Sequence, residues 1–462
     1  MENIERNRFS FIPATGDEQQ AMLQKIGLQF DDIVKCFAGN FCVEGGLHLP
    51  DGLTEDQMVE YWDTMMSRNS GPKKASLLGA GAYMHFIPAV VPHLASLPGF
   101  VTAYTPYQPE ISQGTLQSLF EFQSFMVELT DMELANCSMY DGASSTAEAM
   151  LMAHRIKKAD RVLVAATVNP NYLATVRTYL EPHGIAVDVV RMDGNGRVSM
   201  EDLESQLSVS VCSAVLVQSP NYLGIIEDLG AIGTAVHGHD ALFVESFTEA
   251  MALGLLKYGV STGADVVTGE GQSLGLSMSF GGPHLGVFAT LKKYNREFPG
   301  RIVGESIDTK GRQAFVMTLR AREQDIRREK ATSNICSNHA LNALTAAVYL
   351  GSVGKLGFRA LACENVAKLQ KLIRGLEATG HFTRVFKQGP VFNETVLASS
   401  IAPEDVRSRL AGLPVFPPLA LARGAVPEVQ GMPHTYLVCA TEMLKDNILE
   451  QVLGALSRGG GR

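Results

Sequence analysis

The chain has 462 residues, of which 46% are hydrophobic and 19% charged, with a formal net charge of −9. It is too long for one hydrophobic core, so two or three domains are expected, and its composition is that of an ordinary globular protein. The acidic balance argues against a nucleic acid or an anionic membrane surface as partner, because both demand a basic face.

No apolar run approaches the length that spans a bilayer. The first residues, MENIERNRFSFIPATGDEQQAML, carry early acids and no apolar centre, so neither a secretory signal nor a transit peptide is expected, and a cytoplasmic setting is. The seven cysteines (Cys36, Cys42, Cys137, Cys212, Cys336, Cys363, Cys439) are scattered without C-x-x-C spacing. They read as buried free thiols rather than a zinc site or a disulfide framework.

In chain order, residues 1–70 read as a helical arm. Thr15 caps one helix with Glu18 three residues on, and Thr54 caps another. Trp62 reads as a core residue on the second helical stretch. A helix is expected from near Ser112. From about 135 to 290, strand and helix alternate. The strand candidates are 161–168, 185–190, 213–218, 240–246, 264–267 and 281–290. Runs this apolar are buried on both faces, which implies a mainly parallel sheet covered by helices. Two helices follow, 338–350 and 357–377, then alternating segments that include 389–396. The expected domains are thus an arm (1–70), a large domain (71–334) and a small α/β domain (335–462) whose glycine-rich tail is disordered.

Several stretches are candidates for chemistry. Tyr140–Ala149 forms a helix start whose free N–H groups suit a phosphate, although an ordinary capped helix, with Ser144 or Ser145 as cap and Glu148 in the box, is the favoured reading of this motif alone. Tyr104–Gly114 is a rigid, proline-set loop presenting Tyr104, Tyr107 and Gln108, either to a site or beneath an arm. Arg320–Cys336 carries five positive charges on an expected basic helix and then Thr332, Ser333 and Asn334. That triplet suits a phosphate or the cap of the next helix. Gly79–Tyr83 lacks the third glycine of a dinucleotide fingerprint. His237 and His239 have no third ligand nearby and read as loop residues, not a metal site.

Leu78–Tyr83, Ala103–Gly114, Glu270–Gly275, Phe280–Gly286, Pro299–Gly304 and Arg322–Cys336 together resemble the P-protein family of the glycine cleavage system. Within it they resemble subunit 1 of the two-subunit bacterial form. The resemblance runs in order through about residue 450. It implies the aspartate-aminotransferase-like fold (fold type I) of pyridoxal-phosphate enzymes, with a seven-stranded large domain and a smaller C-terminal one. It also implies the reaction, in which glycine is decarboxylated and its aminomethyl group passes to the lipoyl arm of the H-protein.

Against the family pattern, Gln272 falls where the cofactor lysine belongs, and an amide nitrogen is not nucleophilic. Glu245 falls where the aspartate facing the pyridine nitrogen belongs. A buried carboxylate there requires a partner. Lys257, Lys292 and Lys293, the nearest lysines, lie in contexts that offer no activating pocket. The resemblance therefore implies a subunit without catalytic residues of its own, whose partner, subunit 2, holds pyridoxal phosphate covalently. Thr332, Ser333 and Asn334 are expected to reach the partner's cofactor phosphate. Tyr104, Tyr107 and Gln108 are expected to line a shared channel. Two copies of each subunit are expected to assemble.

Two other readings stay open on the sequence. One is a self-sufficient enzyme using another lysine, and the other is a regulatory binding protein that kept the fold and lost the chemistry.

Overall fold

The computed structural model describes residues 14–33, 41, 49–69 and 74–457. Cys36, Cys42 and the glycine run after Ser457 lie outside them. The chain divides into two units, Met1–Gly71 and Pro72–Arg462.

The described part of the first unit contains helices Gly16–Ile26 and Glu55–Ser67. Thr15 closes a capping box with Glu18, whose carboxylate accepts the Thr15 N–H at 2.7 Å. Thr54 does the same with Gln57, its N–H donating to the Gln57 side chain at 3.0 Å. Trp62, expected in a core, is 57% exposed and stacks edge-on against Tyr61. The Glu55–Ser67 helix contains no buried residue at all, so the lone tryptophan has no core to enter.

The second unit opens with a two-residue strand, β1 (Ala75–Ser76), and is built on a seven-stranded sheet. Its strands are β2 (Leu134–Ala135), β3 (Arg161–Ala165), β4 (Ala186–Val190), β5 (Ala214–Gln218), β6 (Leu242–Phe247), β7 (Val266–Glu270) and β8 (Gly286–Thr290). They lie in the order β2-β8-β7-β6-β5-β3-β4, with β3 to β7 parallel and β8 antiparallel to both neighbours. Every residue of β5, β6, β7 and β8 is buried, which is why these strands read as mostly apolar runs rather than alternating ones. The segment 281–285, expected as strand, is a turn, because Phe280, Gly281 and Gly282 all adopt positive φ.

A hairpin, β9 (Ile302–Ile307) and β10 (Gln313–Thr318), was not foreseen. A four-stranded sheet then takes β11 (Phe382–Arg384), β12 (Glu394–Ser399), β14 (Leu419–Ala420) and β15 (His434–Cys439), while β13 (Val415–Phe416) returns to pair with β1. The stretch Ala340–Ala378 holds the two helices expected over 338–377, parted at Gly354, whose φ of +67° and ψ of 170° are not helical. Its first half enters the core around the seven-stranded sheet through Ala343, Ala346 and Tyr349. Its second half enters the core of the four-stranded sheet through Leu369, Leu372 and Leu376.

Three further expectations are corrected. Cys137, Cys212 and Cys439 are buried, but Cys336 and Cys363 are exposed. The basic helix over 320–331 does not form. Short turns at Arg320–Arg322, Gln324–Arg327 and Arg328–Lys330 replace it, since Leu319 and Arg328 both take positive φ. The following helix is capped at His339, so Thr332–Asn334 is not its cap.

Candidate functional site

In an open parallel sheet, ligands sit beyond the C-terminal strand ends, where the strand order reverses. Here that edge, after β3, β5, β6 and β7, is filled by the chain's own polar groups. Gln272, two residues past β7, is 2% exposed. Its carbonyl oxygen accepts the Tyr83 N–H at 3.0 Å and its amide donates to Leu276 O at 2.7 Å.

Glu270, the last residue of β7, accepts three main-chain N–H groups, from Gly142, Gln272 and Leu285, each at 3.0 Å. Burial pushes its carboxyl up to about 8, against those hydrogen bonds. Gly142 begins the Gly142–Lys157 helix, whose cap is Asp141 rather than Ser144 or Ser145. Asp141 accepts the Ser144 N–H at 2.7 Å. The helix end that could have received a phosphate thus holds two carboxylates of this chain. The Gly142 and Ser144 N–H groups that would receive a phosphate are already donated to Glu270 and Asp141, so the residues around Gln272 do not fit pyridoxal phosphate.

Glu245 is fully buried on β6. One oxygen accepts the Gly259 N–H at 3.0 Å and the other accepts the Thr262 hydroxyl. Its partners are uncharged, so burial prevails and its carboxyl rises to about 8. Lys257 and Lys292 are exposed, and Lys293 pairs with Asp265 at 3.3 Å. His237 and His239 each face one carboxylate, Asp265 and Glu204. Among the described residues no group of three or more His, Cys, Asp or Glu could hold a metal ion, and no helix is long and apolar enough to cross a membrane.

Beside this edge lies a buried charge cluster that the sequence did not disclose. His85 sits between Glu249 at 3.0 Å and Glu442 at 2.9 Å. Burial pulls its imidazole down, but the two carboxylates more than reverse this and hold it up at about 10. Glu394 accepts from Ala80 N at 2.6 Å and from the Tyr83 hydroxyl at 2.9 Å. Glu249 comes from the first core, and Glu394 and Glu442 from the small-sheet side, so residues 80–86 are stitched to both.

The other candidate residues lie in more open surroundings. Tyr104, Tyr107 and Gln108 are exposed. Tyr107 accepts from Arg301 Nη2 at 2.9 Å. Ser333 donates to Glu148 Oε1 at 2.7 Å, Thr332 lies 3.5 Å from Arg322 O, and Asn334 is exposed with no side-chain partner among the described residues. Thr332, Ser333 and Asn334 line a cleft of about 600 Å³, which Tyr140, Glu148, Arg155 and Tyr179 also border. Burial raises the Glu148 carboxyl, and its second oxygen has no hydrogen-bond partner. Arg301 donates to Cys336 O at 2.9 Å and so joins the two candidate stretches. It lies in the matched Pro299–Gly304 run, but its role emerges only in three dimensions.

This sheet order and the small C-terminal sheet define the aminotransferase-like class of pyridoxal-phosphate enzymes. A sphingosine-1-phosphate lyase from Burkholderia pseudomallei has the same fold, with a TM-score of 0.61 at 15% identity over 89% of this chain and 92% of its own. The chain belongs to the glycine cleavage system P-protein family, whose model matches residues 9–411. It is 41% identical to a probable glycine dehydrogenase (decarboxylating) subunit 1 of Desulfotalea psychrophila, over 97% of this chain and 98% of the relative. A protein described in the same words from Desulforamulus reducens is 44% identical over 97% and 100%. The crystal structure of a glycine decarboxylase (P-protein) of the glycine cleavage system, in inhibitor-bound form, aligns with a TM-score of 0.86 at 39% identity, covering 97% and 99%.

Proposed function

We propose that this chain is subunit 1 of a two-subunit glycine dehydrogenase (decarboxylating) and lacks the cofactor lysine. It completes an active site whose pyridoxal phosphate is held by subunit 2. The observation that carries this reading is the commitment of Gln272 and Glu270 to in-chain partners at the strand edge where a cofactor would sit. When bound to the partner, pyridoxal phosphate supplies an electron sink for the electrons left as glycine loses its carboxylate.

This chain's part is binding and enclosure. Thr332, Ser333 and Asn334 offer hydroxyl and amide donors to the partner's cofactor phosphate. Tyr104, Tyr107 and Gln108 wall the channel through which glycine and the lipoyl arm of the H-protein approach. Large apolar side chains left exposed, among them Tyr104, Ile111, Phe280 and Leu356, suit an obligate interface. Two copies of each subunit would form the assembly, in the cytoplasm.

The test is to incubate the purified chain with pyridoxal phosphate, reduce with borohydride and map pyridoxyl-lysine by mass, then mix the chain with its lysine-bearing partner. The expected result is no stoichiometric label alone and glycine-dependent release of CO2 on mixing. A single fully labelled lysine in the lone chain, or no gain of turnover on mixing, overturns it.

A further inference from the structure

Arg301 is 6% exposed, yet its guanidinium serves two segments that lie far apart in sequence. Nη1 donates to the Thr105 hydroxyl at 3.2 Å, and Nη2 donates to the Tyr107 hydroxyl and to Cys336 O, both at 2.9 Å. Nε lies 3.6 Å from Glu323, which keeps the buried charge paired. The Tyr107 ring has Arg301 at 5.3 Å from its centroid and Arg320 at 5.0 Å, so the phenol is held by cations at its ring as well as its hydroxyl. Only a planar fork of donors meets a hydroxyl, a phenol and a carbonyl at once, whereas an ammonium is a single point.

We propose that Arg301 is a positioning residue for the shared site. It fixes the Tyr104–Gln108 loop and the Thr332–Cys336 run in one register, acting through Tyr107 and the Cys336 carbonyl without touching substrate. This rests on the function proposed above.

The test uses the full chain reconstituted with its partner, first as wild type and then as Arg301→Lys, Tyr107→Phe and the double variant. The readouts are kcat, KM for glycine, the apparent Kd of the pair for pyridoxal phosphate, and the urea midpoint of the chain alone. Arg301→Lys keeps the charge facing Glu323. It is expected to raise KM and Kd about tenfold while shifting the urea midpoint little. Tyr107→Phe is expected to raise them about threefold in the wild-type background and to add nothing after Arg301→Lys, because both remove one contact.

KM and Kd within about twofold of wild type for Arg301→Lys, or equal effects of Tyr107→Phe in both backgrounds, overturn the proposal. If Arg301→Lys does not fold, Thr105→Val and Tyr107→Phe in the intact chain decide it. They must each raise KM, and jointly by less than the product. A wild-type pair without activity fails the underlying function before any variant is made, and removes this proposal with it.

Discussion

Gln272 Oε1 accepts the main-chain N–H of Tyr83 at 3.0 Å, a hydrogen bond between residues 189 positions apart. The Gln272 side chain is therefore part of the scaffold. Gln272→Lys is expected to lower stability by about 1–3 kcal/mol, since it leaves the Tyr83 N–H buried without an acceptor. It should yield no stoichiometric pyridoxyl label on borohydride reduction, because Glu270 and Asp141 still hold the helix end. Urea titration and peptide mass mapping check both halves.

Replacing Thr332 and Ser333 together by Ala removes the hydroxyls proposed to reach the partner's cofactor phosphate and the Ser333 donor to Glu148. The reconstituted pair should lose at least about tenfold in kcat/KM, one charge-assisted hydrogen bond being worth about 1.5–3 kcal/mol. Unchanged turnover would take these residues out of the site.

The His85 cluster makes stability depend on pH. The imidazole is raised from 6.5 to about 10 in the folded chain. Its stabilising contribution is therefore complete below pH 6.5 and is lost as pH rises through about 10. Urea midpoints measured between pH 6.5 and 10 should fall steadily. His85→Gln should flatten that slope and cost about 3–5 kcal/mol near neutrality by leaving two carboxylates buried together.

Gly142 allows the helix start to approach β7. A Cβ there would stand 2.0 Å from the Tyr172 hydroxyl and 2.7 Å from Glu270 N. Gly142→Ala is expected to destabilise the chain by about 3 kcal/mol or more through backbone displacement, visible as a lowered Tm. A neutral result would show that the helix start can draw back from β7 without cost.

The parallel sheet was legible because burial on both faces keeps β5, β6, β7 and β8 mostly apolar, with only a few buried polar residues such as Glu245 and Thr268 among them. The capping boxes at Thr15 and Thr54 were legible because they are local. What failed was partly local detail and partly contact between residues distant in sequence. Asp141 displaced Ser144 and Ser145 as cap because Ser144 sits at the third helical position, where its hydroxyl returns to the Asp141 backbone. The β9–β10 hairpin was missed although Asp308 and Gly311 mark its turn, where Asp308 accepts from Lys310 and Arg312. The His85 cluster had no sequence signal at all, since its three carboxylates lie 164 or more residues from it or from Tyr83. Of the candidate site, the two stretches stood out as motifs, and the arginine that joins them did not.

The helix that follows Gly354 donates Phe358 and Ala362 to one core of the second unit and Leu369, Leu372 and Leu376 to the other. Neither core can melt without stripping packed surface from an element the other also needs. Pro72–Arg462 should accordingly behave as one cooperative unit in the calorimeter, with a single endotherm whose van't Hoff and calorimetric enthalpies agree. The two layers are separate in topology and indivisible in thermodynamics.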